Sequence, residues 1–128
     1  MSKKNITTTV PVVNFGMRKL LIVKIRKAVL QAAHGNVFNA AHSAWDVNQK
    51  RVKGRDVVVV TLEDNIIQDV FAVDRWTHVR SKPKKDGRMK SDWAFSGTSV
   101  ASSWAKTWIG SRIPAKYIGA RRTFRYVD

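Results

Sequence analysis

The run Val57-Val58-Val59-Val60-Thr61-Leu62 constrains the fold of this chain more than any other segment. Four consecutive valines and a threonine crowd a helix at the β-carbon and pack well on a pleated surface. Glu63-Asp64-Asn65 follows, a tight-turn composition, and Ile66 to Val73 is again rich in apolar residues. The pattern predicts an antiparallel hairpin over 57–73 that turns at 63–65. At 128 residues, 44% of them hydrophobic, the chain is long enough for one domain with its own core and leaves little room for a second.

The flanking segments are less decisive. Residues 1–16 carry Thr7, Thr8 and Thr9 and are broken by Pro11 and Gly16. They read as an N-terminal arm or edge strand, leaving 17–128 as a single α+β domain. Residues 20–33 support two readings. Leu21, Ile25, Ala28, Val29 and Ala32 form one helical stripe, while β-branched Ile22, Val23 and Ile25 and the alternation of Leu21, Val23 and Ile25 fit a strand. Local rules lean towards the helix. Asn36, after Gly35, is placed to cap a helix to about Trp45, with Val37, Phe38, Ala41 and Ala44 or Trp45 as its buried stripe. Residues 49–55 and 80–90 read as loops, the second a mobile one holding Pro83 and Gly87. Trp93 to Phe95 is expected as a short strand, and Thr98 or Ser99 as the cap of a helix through Trp108. Gly110, Pro114 and Gly119 keep the next stretch irregular, and Thr123 to Val127 alternates as a last strand. The expected fold is α+β, a curved, mostly antiparallel sheet with two helices.

Charge dominates the functional reading. Twenty-four Lys and Arg face nine Asp and Glu, a formal net charge of +15. Self-repulsion of that size opposes compaction, and a polyanion relieves it best, because phosphates accept charge-assisted bonds and release counterions. Nucleic acid, DNA or RNA, is therefore the expected partner. The alternative is an acidic protein met through the same basic face, and a membrane is not expected. Basic residues cluster at Arg18–Lys27, Lys50–Arg55, Arg80–Lys90 and Arg112–Arg125. Lys50, Arg51, Lys53, Arg55, Lys82, Lys84, Lys85, Arg88, Lys90, Arg121, Arg122 and Arg125 are the candidate phosphate contacts, since long cations on loops follow a backbone without needing fixed geometry. Arg121 and Arg122 are the best placed to offer a planar fork to a phosphate or a guanine edge. Five tryptophans are many for this length. Trp45, Trp76 and Trp93 are candidates for stacking on an unpaired base beside 80–90. Core packing is the competing reading, and it is the stronger one for Trp104 and Trp108.

Catalytic constellations are weak. The chain has no cysteine, which removes disulfides, thiol catalysis and Cys-based zinc sites. His34, His42 and His78 lack metal-ligand spacing. Asp64, Asp69 and Asp74 imitate a nuclease cluster only loosely, because a metal site needs carboxylates converging in one pocket. Ser96, Ser99, Ser102 and Ser103 lack a nucleophile elbow and a base. The expectation is a binding protein rather than an enzyme, with no cofactor and no metal. No apolar run approaches the ~20 residues that span a bilayer. The charged N-terminus has no apolar stretch behind it, so a cytoplasmic location is expected.

Several short motifs recur in a recognisable order: Leu-Ile-Val-Lys-Ile (21–25), Ala-Trp-Asp-Val-Asn-x-x-Arg (44–51), Val-Phe-Ala-Val-Asp-Arg-Trp (70–76), Trp-Ala-Phe-Ser-Gly (93–97), Trp-Ile-Gly-Ser-Arg-Ile-Pro-x-x-Tyr (108–117) and Gly-Ala-(x)n-Arg-Tyr-Val (119–127). Their spacing resembles a largely uncharacterised bacterial and phage domain found alone or beside GIY-YIG nuclease domains. The resemblance implies that 20–26 is the first strand. It also implies a partly closed barrel similar to the PUA, EVE and YTH class, and a phage or mobile-element setting. The chain departs from that pattern at Gly-Ala-Arg-Arg-Thr (119–123) and in the unusually basic stretch 80–90. Both departures favour backbone affinity over a base-reading pocket.

Overall fold

The computed structural model describes residues 10–42, 45, 49–52, 54–83, 85–87, 89–118 and 124–127. The chain runs β1 (Leu20–Lys24), α1 (Lys27–Ala32), α2 (Val37–Ala41), α3 (Gln49–Val52), β2 (Val57–Thr61), β3 (Ile67–Pro83), β4 (Met89–Ser99), α4 (Ser103–Trp108), a 3-10 turn (Ala115–Tyr117) and β5 (Phe124–Val127). The five strands form one open sheet in the order β4-β3-β2-β1-β5. The fold is α+β, as expected, but the sheet does not close and the described helices number four short ones rather than two.

β1 and β2 pair in parallel, Leu21 opposite Val58 and Val23 opposite Val60, while the other three pairings are antiparallel. A parallel pair needs a long crossover. Residues 25–56 supply it, carrying α1 to α3 across one face of the sheet. Strands buried on both faces are apolar at every position rather than every second one. Leu20, Ile22, Val57, Val59, Val70 and Val127 face α4, Ile113, Val13 and Phe15. Leu21, Val23, Val58, Val60, Phe71 and Phe95 face Ile25, Ala41 and Val52 on the crossover side. Residues 10–16 of the segment expected as an arm therefore lie on the domain, with Val13 and Phe15 in its core and Val13 donating to Arg112 O at 2.9 Å.

The two readings of 20–33 divide at Ile25. Residues 20–24 are strand, so the helical stripe beginning at Leu21 is not realised, and helix follows only from Lys27. Glu63 Oε1, in the expected 63–65 turn, accepts the Lys27 N–H at 2.8 Å and so satisfies a donor at the start of α1. The chain leaves α1 through Gly35 at a φ of 79°, whose N–H bonds Leu30 O at 2.9 Å. Asn36 caps α2 as expected, its side chain accepting from Asn39 N at 2.9 Å, but α2 ends at Ala41. Trp45 instead exchanges backbone hydrogen bonds with Trp93, at 3.1 and 2.9 Å. Thr98 and Ser99 belong to β4, and α4 begins four residues after Ser99 with Ser102 as its flanking residue. Ala44, Gly119 and Thr123 lie outside the described residues.

The expected 57–73 hairpin is present, but its second strand does not stop at Val73. β3 continues to Pro83 and β4 starts at Met89, so most of the stretch expected as a mobile loop is paired strand. β2 ends its pairing with β3 at Ala72, after which β3 has β4 as its ladder partner. The result is a two-stranded ribbon growing out of the sheet. Gly97 marks its root. A β-carbon there would lie 2.0 Å from Ala72 O, so the close approach of the two strands requires glycine.

Candidate nucleic-acid interface

Two β-bulges shape the ribbon. The register shifts between Val73 and Arg75 and again between His78 and Arg80, leaving Asp74 and Val79 as the extra residues. Bulges bend a strand and tighten its right-handed twist. Between them, Trp76 pairs with Phe95 and His78 with Trp93. Beyond the second bulge the ladder runs Arg80–Asp92, Ser81–Ser91, Lys82–Lys90 and Pro83–Met89. Arg80 Nε bonds Asp92 Oδ2 at 3.1 Å, and the Asp92 side chain is only 3% exposed against 54% for Arg80. A buried carboxylate held by a half-exposed guanidinium fixes the first rung past the bulge. Lys82 and Lys90 then occupy directly opposed register positions.

The candidate cations fall into three groups. Lys82, Lys85 and Lys90 belong to the ribbon or its turn, with Lys85 exposed. Lys50, Arg51 and Arg55 lie at α3 and the entry to β2, rather than on the open loop expected there. The Arg51 guanidinium stacks over the Tyr126 ring, 4.0 Å from its centroid, and that of Arg55 lies 5.2 Å away. Arg55 also donates to Arg51 O and is only 8% exposed. Burial lowers its pKa from the usual value, the nearby Arg51 charge adds to this, and Tyr126 acts in the opposite direction. A guanidinium so enclosed keeps its charge near neutral pH but cannot follow a phosphate chain as a flexible loop residue would. Arg125 stands apart. It pairs with Ile22, whose side chain faces α4, and donates to Lys116 O at 3.3 Å. Its neighbour Tyr126 faces the crossover side. Lys53, Lys84, Arg88, Arg121 and Arg122 lie outside the described residues.

Trp45, Trp76 and Trp93 do come together on one side of the sheet, each half-buried against the crossover core. Their surfaces are engaged in packing. Trp76 meets Phe95 edge-on at 5.4 Å, Trp93 meets His78 at 5.3 Å, and the Trp45 indole donates to Ala41 O. A cavity of about 240 Å³ lies at the ribbon root between Arg55, Asp56, Asp74, Arg75 and Trp76. It carries carboxylates as well as guanidiniums. Trp104 and Trp108 pack as expected, with Trp108 buried against Phe15 and Arg18 stacked on Trp104 at 3.8 Å.

The acids considered for metal binding have local duties. Asp64 accepts Ile66 N at 3.0 Å, and Asp69 accepts Val70 N at 2.8 Å and Ser99 Oγ at 2.9 Å. Among the described residues no three His, Asp or Glu groups converge on a possible metal position. No described helix is long and apolar enough to cross a membrane.

Sequence reasoning missed Arg75, Val79 and Met89. Arg75 lines the cavity, while Val79 and Met89 are large apolar side chains left 51% and 61% exposed on the ribbon. The signal for the strand was present in Trp76, Thr77 and Val79, all strand formers, but the charges that follow masked it. Comparison with family models, with curated proteins and with solved structures finds no match to this chain.

Proposed function

We propose that this protein binds nucleic acid through the phosphate backbone, using the β3–β4 ribbon as its principal contact and acting as a binding module without catalysis. The observation that carries the reading is the pair of lysines at opposed register positions in a ribbon standing clear of the sheet. A cationic residue at each of these two positions suits a phosphate chain laid across the ribbon. The formal charge of +15 supports the same reading for the surface as a whole. Arg51, clamped over Tyr126, and Lys50 extend the basic surface along α3. The three tryptophans serve as the packed base of the ribbon, so affinity rests on cations rather than on stacking.

The half-exposed Val79 and Met89 also suit the second reading, an acidic protein gripped by the same ribbon. A pull-down from cell lysate with and without nuclease separates the two. Under the proposed function partners disappear after nuclease, and a retained acidic protein transfers the assignment to the second reading. Binding to oligonucleotides should weaken by about 0.7 to 0.9 log units per log unit of salt for each neutralised phosphate. Replacing Lys82, Lys84 and Lys85 together by Ala should lower that slope by about 2 to 3. A flat response to salt in the unmodified protein contradicts the proposal.

A further inference from the structure

We infer that the ribbon enters the major groove of B-form duplex DNA and that the bulged residue Val79 contacts thymine methyl groups there. This rests on the nucleic-acid reading and narrows it to one partner. Dimensions favour it. Paired strands lie ~4.8 Å apart, and the B-form major groove, ~12 Å wide and ~8.5 Å deep, admits a two-stranded ribbon. From the Arg80–Asp92 rung to Pro83–Met89 the ladder advances three residues, about 10 Å at ~3.3 Å per residue, before its turn begins. Laid along the groove, that length covers about three base pairs at ~3.4 Å each, so Val79 and Met89 can both meet base edges. The A-form RNA major groove is deep and too narrow for side chains to read. The two bulges add twist, which suits a ribbon following a helical groove.

Chemistry points the same way. A ribbon serving phosphates alone has no need of apolar side chains, yet Val79 and Met89 are 51% and 61% exposed in its outer half. Val79 is the unpaired residue of the second bulge, and bulges re-aim a side chain. In the major groove, apolar side chains find the thymine C5-methyl, which the minor groove lacks. Arg80 and Lys90 adjoin Val79 and Met89 along the two strands. That arrangement matches a groove with phosphates along its rims and methyl groups on its floor.

The test compares three duplexes, poly(dA-dT), poly(dA-dU) and poly(rA-rU), titrated with the full chain at several salt concentrations. The first two differ only by the C5-methyl. The expected order of affinity is poly(dA-dT) above poly(dA-dU), by about fourfold per methyl contacted, with the RNA duplex weakest. Val79→Ala should erase most of the methyl preference and leave the salt slope unchanged. Met89→Ala, on the opposite strand, serves as a second probe with the same expected direction. Equal binding of the DNA and RNA duplexes with a steep salt slope overturns the groove assignment and leaves phosphate binding standing. A methyl preference that survives Val79→Ala overturns the role given to Val79. Absence of binding to all three duplexes, with a single-stranded oligonucleotide still bound, removes this inference and leaves the nucleic-acid reading standing; absence of binding to the single strand as well removes both.

Discussion

Strand β2 and the outer ends of β3 and β4 share one sheet but obey different rules. Every residue of β2, Val57 to Thr61, is buried, and its neighbours β1 and β3 cover it on both sides. Beyond the second bulge, Val79, Arg80, Ser81, Pro83 and Met89 are exposed, and two lysines stand opposed in register. In β2 the four valines add to stability through apolar burial. In the outer ribbon the strands stay paired with mostly exposed side chains and the Arg80–Asp92 ion pair. The contrast separates a region composed for folding from one that, under the proposed function, is composed for a partner.

Substitutions on the two sides of Gly97 should sharpen that contrast. Leu21→Ala, at a fully buried position of strand β1, should cost the most, about 2–5 kcal/mol in denaturant unfolding, without altering the nucleic-acid affinity of molecules that remain folded. A comparable loss of affinity in the folded fraction would blur the two regions. Gly97→Ala tests the boundary. Its β-carbon would meet Ala72 O, a backbone atom that cannot swing aside, so about 1–3 kcal/mol should be lost as the strands separate. Both stability and binding should suffer, because this residue joins the ribbon to the sheet. Lys90→Glu should have the smallest effect on stability and the opposite sign. Removing the like-charge pair with Lys82 should raise unfolding free energy by about 0.2–1 kcal/mol while weakening nucleic-acid binding. A variant that gains stability and keeps its affinity would show that the opposed lysines have no role in binding.

How much of this was legible in the sequence follows from the same physics. The 57–73 hairpin was legible because β-branching at 57–60 and the turn at 63–65 point one way. The first strand was less so. Burial on both faces erases alternation, so Leu21, Ile25, Ala28 and Val29 mimicked a helical stripe until the family-like spacing favoured strand over 20–26. The parallel pairing of β1 with β2 depends on a crossover whose path no local pattern encodes. The ribbon was hidden by its own charge. Six basic residues with Pro83 and Gly87 between Arg80 and Lys90 read as a loop, because like charges facing across a ladder are unfavourable and local rules discount them. Arg55 was assigned from its sequence neighbours as a loop cation. Only the fold brings Tyr126 from the last strand against α3 and encloses it.

The most direct test is a chain in which residues 82–90 are replaced by Asn-Gly, closing the ribbon with a two-residue turn between Ser81 and Ser91. Pro83, Lys85, Asp86, Gly87 and Met89 of the removed segment are exposed, and the Arg80–Asp92 rung is retained. Thermal melts and salt titrations on duplex DNA would be run beside the unmodified protein. The account predicts an unchanged melting transition and a salt slope lower by about 4, since five cations are lost. An intact affinity and slope, or a collapse of the fold, would contradict the division of labour between sheet and ribbon.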